Sequence, residues 1–339
     1  MLKVFQQLPE GLLEADVTEL ADVLGGPALI HLPGRGERPL FVSTLLHGNE
    51  TGGFFALRAL LRDYRDRELP RPLSVFIGNP AAARHGLRAL PGQPDYNRVW
   101  PGGEGGGTPE HDMMTRVVGE MAERRLFASI DLHNNSGINP HYACVNRTGQ
   151  SFLHLAALFS RTVVYFTRPR GVQSLAFAPL CPAVTVECGR TGDSLGVSHA
   201  REYVEAALHL TRIPDHPVAS HDIDVFHTVA TVTVPAGLTI GFGAADTDLR
   251  FIDDLDHLNF RELPTGTTLA QTGSVAGRLQ AWDDSGRDVG GRYFALDDGQ
   301  IRTARPVMPS MFTLDPRIIR EDCVGYLMER YPLDLARAD

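Results

Sequence analysis

Leu45-Leu46-His47-Gly48-Asn49-Glu50-Thr51-Gly52-Gly53 is the stretch from which the rest of the chain can be read. It follows an apolar run, 39–46, and precedes a segment in which Phe54, Leu57, Leu60 and Leu61 recur at helical spacing up to Tyr64. A buried strand therefore passes into a helix here, and the turn between them carries a His and a Glu in an H-x-x-E pattern. Two later apolar runs end in the same way: Ser129-Ile130-Asp131-Leu132-His133 and Ala183-Val184-Thr185-Val186-Glu187. In open α/β sheets, ligands bind beyond the carboxyl ends of the strands. The expectation is that these strand ends gather His47, Glu50, His133 and Glu187 around one divalent metal ion.

Working outward, residues 28–32, 73–77, 126–132, 142–145 and 163–166 read as further strands. Thr108-Pro109 opens a helix, with Thr as cap and Pro in the first turn, and Met113, Val117, Met121 and Leu126 continue its apolar face. Residues 152–159 and 198–210 read as helices, the second burying Tyr203, Ala206, Ala207 and Leu210. This alternation predicts an α/β domain over 1–215, a central mixed sheet flanked by helices. Pro214 and Pro217 mark a linker. After it, valines from Val225 to Val234 lie among Thr, Gly and Pro, which predicts a smaller β-rich domain over 221–339 with one helix at 316–330. A Gly/Pro-rich loop, 89–107, carries Asp95-Tyr96-Asn97-Arg98. Loops this long inside a compact domain are usually functional or disordered.

The chain has 339 residues, 43% hydrophobic and 22% charged, as a soluble globular protein of one large or two ordinary domains would. A formal net charge of -9 argues against nucleic acid and anionic membrane as partners, and no apolar run is long enough to span a bilayer. Cys144, Cys181, Cys188 and Cys323 show no C-x-x-C spacing, and the N-terminus has no signal-type apolar core. The expected setting is cytoplasmic and the expected partner a small molecule, with homo-oligomerisation left open.

Two His and one carboxylate make the three-ligand set of a catalytic zinc, with water in the fourth position. Zinc lowers that water's pKa to about 7, giving a nucleophile at neutral pH. A separate carboxylate must then shuttle the proton, and Glu187 is the spare one. Ordinary readings stand beside these: a solvated loop His next to a helix-capping Glu, a strand-end His satisfied by backbone, an ion-paired carboxylate. Histidines 141, 199, 221, 227 and 257 lack ligand-like spacing and read as structural or surface, apart from some interest in His141 in the loop region after the metal strand, and Cys188 reads as a small buried residue.

The ordered set His47-Gly48-Asn49-Glu50, Asn79-Pro80, Asp95-Tyr96-Asn97-Arg98, Asp131-Leu132-His133 and Val186-Glu187-Cys188-Gly189 resembles the succinylglutamate desuccinylase/aspartoacylase family, within the zinc-carboxypeptidase-like superfamily. The resemblance covers about residues 40–200 well and the tail loosely. It implies hydrolysis of the amide of an N-acylated amino acid. It implies one zinc per chain on His47, Glu50 and His133, with Glu187 as general base and acid. Arg88 would polarise the scissile carbonyl, and Asn97 and Arg98 would grip a substrate carboxylate. An arginine offers a fixed fork of donors suited to both tasks. The sequence departs from the family in two places. Residues 174–178 lack a second substrate arginine, and Tyr293 replaces the pocket-closing tyrosine only if it is not a core residue. A carboxypeptidase acting on short or modified peptides is the alternative with the same chemistry.

Overall fold

The computed structural model describes residues 1–103, 106–243, 246–273 and 278–333. They divide into two compact units, one built mainly from Met1–Asn134 and His141–Val225, the other from Asn135–Pro140 and Phe226–Tyr331.

The first unit contains strands β1 (Lys3–Phe5), β2 (Ala28–Leu32), β3 (Leu40–Thr44), β4 (Leu73–Ile77), β5 (Ala128–Asn135), β6 (Tyr142–Val145), β7 (Thr162–Tyr165) and β8 (Ala183–Arg190). Its helices are α1 (Leu20–Leu24), α2 (Gly52–Asp63), α3 (Pro80–Ala83), α4 (Pro109–Ala122), α5 (Gln150–Ala157), α6 (Gln173–Phe177) and α7 (Ser194–His209). The strands lie in the order β1-β2-β4-β3-β5-β8-β6-β7. β3 runs parallel to both β4 and β5, whereas β2 is antiparallel to β4 and β6 antiparallel to β8. The sheet is thus mixed, and β2, β3 and β4 are buried along their whole length, as their unbroken apolar runs require. Because β3 and β5 are parallel neighbours, their carboxyl ends open at the same edge. That places the turn after β3 beside His133.

The turn itself is crowded. Leu45 takes a left-handed φ of 53° although it is buried, a strained state for a branched side chain. A Cβ on Gly53 would stand 2.5 Å from Thr44 Oγ1 and 2.6 Å from Leu132 Cβ, so only glycine lets α2 start this close to β5. The 89–107 loop is anchored by Trp100, fully buried with its ring edge-on to Phe76 and Phe177 and its backbone N–H donating to Gly171 O at 3.0 Å.

Several elements depart from expectation. β5 and β8 run beyond His133 and Glu187 to Asn135 and Arg190, so these two residues lie within strands rather than at their ends. On α4 the buried stripe is Met114, Val117 and Met121; Met113 is half-buried, and Leu126 falls after the helix, past a left-handed Arg125. On α7, Ala206 is half-buried while Val204 and Leu208 face inward.

The second unit contains β9 (Asp224–Thr233), β10 (Ile240–Phe242), β11 (Leu249–Phe251), β12 (Thr268–Thr272), β13 (Gln280–Trp282), β14 (Phe294–Asp297), β15 (Gln300–Thr303), β16 (Met308–Ser310) and β17 (Gly325–Arg330). A sheet ordered β10-β11-β12-β15-β14 accompanies the antiparallel pairing of β9 with β17 and β13. The helix expected at 316–330 exists only as Pro316–Glu321. Residues from Gly325 on pair with β9 instead, because a strand partner satisfies their backbone groups while burying Leu327 and Met328. Tyr293 is 1% exposed within this unit's core, beside Phe251 and Phe312, and is a core tyrosine.

Candidate metal centre

His47, Glu50 and His133 meet. Their ligand atoms lie within 4.8 Å of one another, and all three residues are buried. The imidazole centroids are 5.2 Å apart. His47 Nδ1 lies 2.7 Å from Glu50 Oε1, and His133 Nδ1 lies 2.8 Å from Glu50 Oε2. The two inner nitrogens therefore flank one carboxylate.

Each outer nitrogen is held by a further carboxylate. His47 Nε2 donates to Asp95 Oδ1 at 2.9 Å, and His133 Nε2 donates to Asp131 Oδ2 at 2.8 Å. Asp131 is fixed in turn by the Ser43 hydroxyl, which donates to Oδ1 at 2.7 Å from the paired position on β3. Asp95 is fixed by Arg88, whose Nη2 donates to Oδ2 at 2.8 Å, and by the Asn97 N–H, which donates to Oδ1 at 2.7 Å. Metal-binding histidines almost always carry such a partner on the nitrogen that faces away from the metal. Glu50 Oε2 also accepts from the Asn134 N–H at 3.1 Å, and the Asn134 side chain accepts from Gly52 N and donates to Gly189 O. One asparagine thus ties the first turn of α2, strand β5 and the end of β8 together.

The electrostatics follow from this crowding. Burial and Arg88 oppose a charge on His47, but Glu50 and Asp95 outweigh them and its pKa is raised. Burial likewise opposes charge on His133, yet Asp131 and Glu50 raise it well above the usual imidazole value. Burial would raise Glu50, but the two imidazoles hold it well below the carboxylate range. The cluster is thus a carboxylate between two imidazoles that keep positive charge next to it. A dication in place of the two inner protons satisfies the same atoms, and the two-nitrogen, one-carboxylate donor set suits zinc. The residues present fit such an ion.

Glu187 is buried on β8, the strand next to β5, with Tyr142 as its cross-strand partner. It stands outside the three-donor cluster, but both Glu187 and Glu50 act electrostatically on the Cys188 thiol, which burial pushes well up. Arg88 reaches the cluster, with Nη1 3.7 Å from Glu50 Oε1. Asn97 is brought to His133, its Nδ2 3.4 Å from Nε2, and its Oδ1 accepts from Gln173 N. Arg98 donates to Asn97 O at 2.9 Å and acts on Asp95. Asp95, Asp131 and Asn134 had no assigned role in the sequence reading. Asp131 had a usable signal, since residues two apart on a strand share a face with His133. Asp95 had none, since it meets His47 across 48 residues.

Fold and cluster together define a mixed α/β protein with a candidate His–Glu–His metal centre. The chain belongs to the succinylglutamate desuccinylase/aspartoacylase family, whose catalytic-domain profile matches residues 37–213, more than half of its length. Among solved structures, it is similar to a succinylglutamate desuccinylase from Chromobacterium violaceum, with 20% identity, a TM-score of 0.58 and coverage of 88% of this chain and 87% of that one. It is similar also to a succinylglutamate desuccinylase/aspartoacylase from Rhodobacter sphaeroides, with 15% identity, a TM-score of 0.58 and coverage of 89% and 88%. Murine aminoacylase 3 shares 15% identity at a TM-score of 0.57, with coverage of 88% and 96%. At such identities the likeness is one of fold. No curated protein matches the sequence significantly. No helix among the described residues is long and apolar enough to cross a membrane.

Proposed function

We propose that this chain hydrolyses the amide bond of an N-acylated amino acid, using one zinc ion held by His47, Glu50 and His133. The observation that carries this reading is the convergence of two inner imidazole nitrogens on Glu50 while Asp95 and Asp131 anchor the outer ones. Family membership supports the substrate class.

When bound, the ion would acidify a water and polarise the scissile carbonyl. The protein's own residues do the rest. Glu187, a carboxylate outside the donor set, takes the water's proton and returns it to the leaving nitrogen. Arg88, braced by Asp95, supplies a cationic donor where charge develops on the carbonyl oxygen; preorganised donors of this kind contribute about 3 kcal/mol each. Asn97 and Arg98, adjacent on a loop pinned by Trp100, hold a substrate carboxylate and so set the reacting carbonyl in place.

The test is metal analysis of purified protein coupled to hydrolysis of a panel of N-acyl amino acids and dipeptides. One zinc per chain with deacylase turnover is expected. Clear preference for dipeptides would move the assignment to a carboxypeptidase, and active protein without metal would sink the metal reading.

A further inference from the structure

A second pair of imidazoles lies in the first unit, apart from the cluster above. His141, just before β6, and His199, on α7, place their Nδ1 atoms 2.9 Å apart with rings inclined at 29°. Acceptors stand near both rings. His141 Nε2 is 3.6 Å from Asp193 Oδ2. The Phe159 carbonyl accepts from His199, whose ring also stacks on the Phe159 ring at 4.3 Å. With the protons on the outer nitrogens, both inner nitrogens present lone pairs to one point, a two-nitrogen donor set for a cation. The frame is built in advance. Asp193 Oδ1 caps α7 by accepting from Leu195 N at 2.9 Å, and the Ser160 hydroxyl donates to His141 O at 2.9 Å.

We propose that His141 and His199 form a second cation site, for a borderline divalent transition metal of the zinc type. Tetrahedral Zn–N bonds would set the two nitrogens about 3.3 Å apart, so the pair need open by only about 0.4 Å. The His141 side chain is 25% exposed, which lets solvent complete the coordination. The Asp193 carboxylate, 3.6 Å from His141 Nε2, is placed to take that nitrogen's proton when the inner one turns to an ion. The location has a consequence for β8. The His141 ring lies against Gly189, where a Cβ would come within 2.8 Å of Nε2, two residues beyond Glu187. An ion here ties β6 to α7 across the strand that carries Glu187.

Equilibrium dialysis of the full chain against zinc chloride, with elemental analysis, tests the site. Wild type should take up two ions per chain, the second more weakly than the first. His199→Ala should lose only the second ion. Asp193→Asn, which keeps a good helix cap, should weaken the second site by about tenfold or more. His133→Ala should lose only the first ion, so failure of one site is distinguishable from failure of the other. A single ion per chain in saturated wild type, or a second ion that survives both His141→Ala and His199→Ala, overturns the proposal and leaves the pair sharing only a proton.

Discussion

His31 on β2 and His133 on β5 sit in the same mixed sheet, 5% and 4% exposed, and each touches a carboxylate. His31 is saturated. The Ser74 hydroxyl lies 2.9 Å from Nδ1, and Nε2 donates to Glu120 Oε1 on α4 at 3.0 Å. One donor and one acceptor suffice for a neutral ring, and burial lowers its pKa despite Glu120. At His133 both nitrogens face carboxylates, which only accept, and the neighbouring His47 repeats the pattern. Neutral imidazoles cannot satisfy that arrangement. What separates a structural histidine from a metal-ligand candidate is therefore not burial but an excess of acceptors converging on one point, which calls for a cation.

Four experiments would break or sharpen that contrast. The largest effect is expected next to the cluster: Glu187→Gln should retain metal and lower turnover by about 10²–10⁴-fold, the usual contribution of general acid–base catalysis. Unchanged turnover in that variant would refute the role given to Glu187. Next, Asp131→Asn should lower zinc affinity by about 10–100-fold in competition with a chelator, because it frees the outer nitrogen of His133. The equivalent change beside His31, Glu120→Gln, should leave metal content alone; loss of zinc there would erase the distinction. Third, His31→Ala leaves Ser74 and Glu120 without their partner. It should cost about 1–3 kcal/mol of stability by denaturant unfolding, again at constant metal content.

The smallest effect is a difference of sign in the pH dependence of the metal-free protein. His31, with its folded pKa lowered, contributes stability that is present above the unfolded value of about 6.5 and lost as pH falls. His47 and His133, with folded pKa raised, contribute stability that is present below that value and lost as pH rises through their folded pKa. Melting temperatures of His31→Gln and His133→Gln across pH 5–9 should diverge from wild type at opposite ends; parallel curves would contradict the electrostatics described above. Zinc should bind more tightly as pH rises, since it must displace the inner protons.

Much of the fold was legible because its signals are local. The apolar run before His47, the helical spacing after it, and the Thr108-Pro109 start all stand where the structure has β3, α2 and α4. Thr108 caps α4 by accepting from His111 N at 3.1 Å. The region around 316–330 was misread because its strand exists only through pairing with β9, a partner about 100 residues away for which propensity holds no information. The extension of β5 and β8 past His133 and Glu187 was missed because a polar residue there, Asn134, is satisfied by distant partners rather than by turn chemistry.

The sequence by itself determined which donors exist, in what order, and on which strands and turns, because residue chemistry and hydrophobic period are carried in short windows. Only the tertiary structure decided which nitrogen of each imidazole faces inward. That choice depends on Asp95 arriving from a distant loop, and on the β3–β5 register that sets Ser43 opposite Asp131. Hydrogen bonds between groups far apart in the chain exist only once the sheet has assembled, and they convert three suitable side chains, His47, Glu50 and His133, into a cluster with a fixed direction.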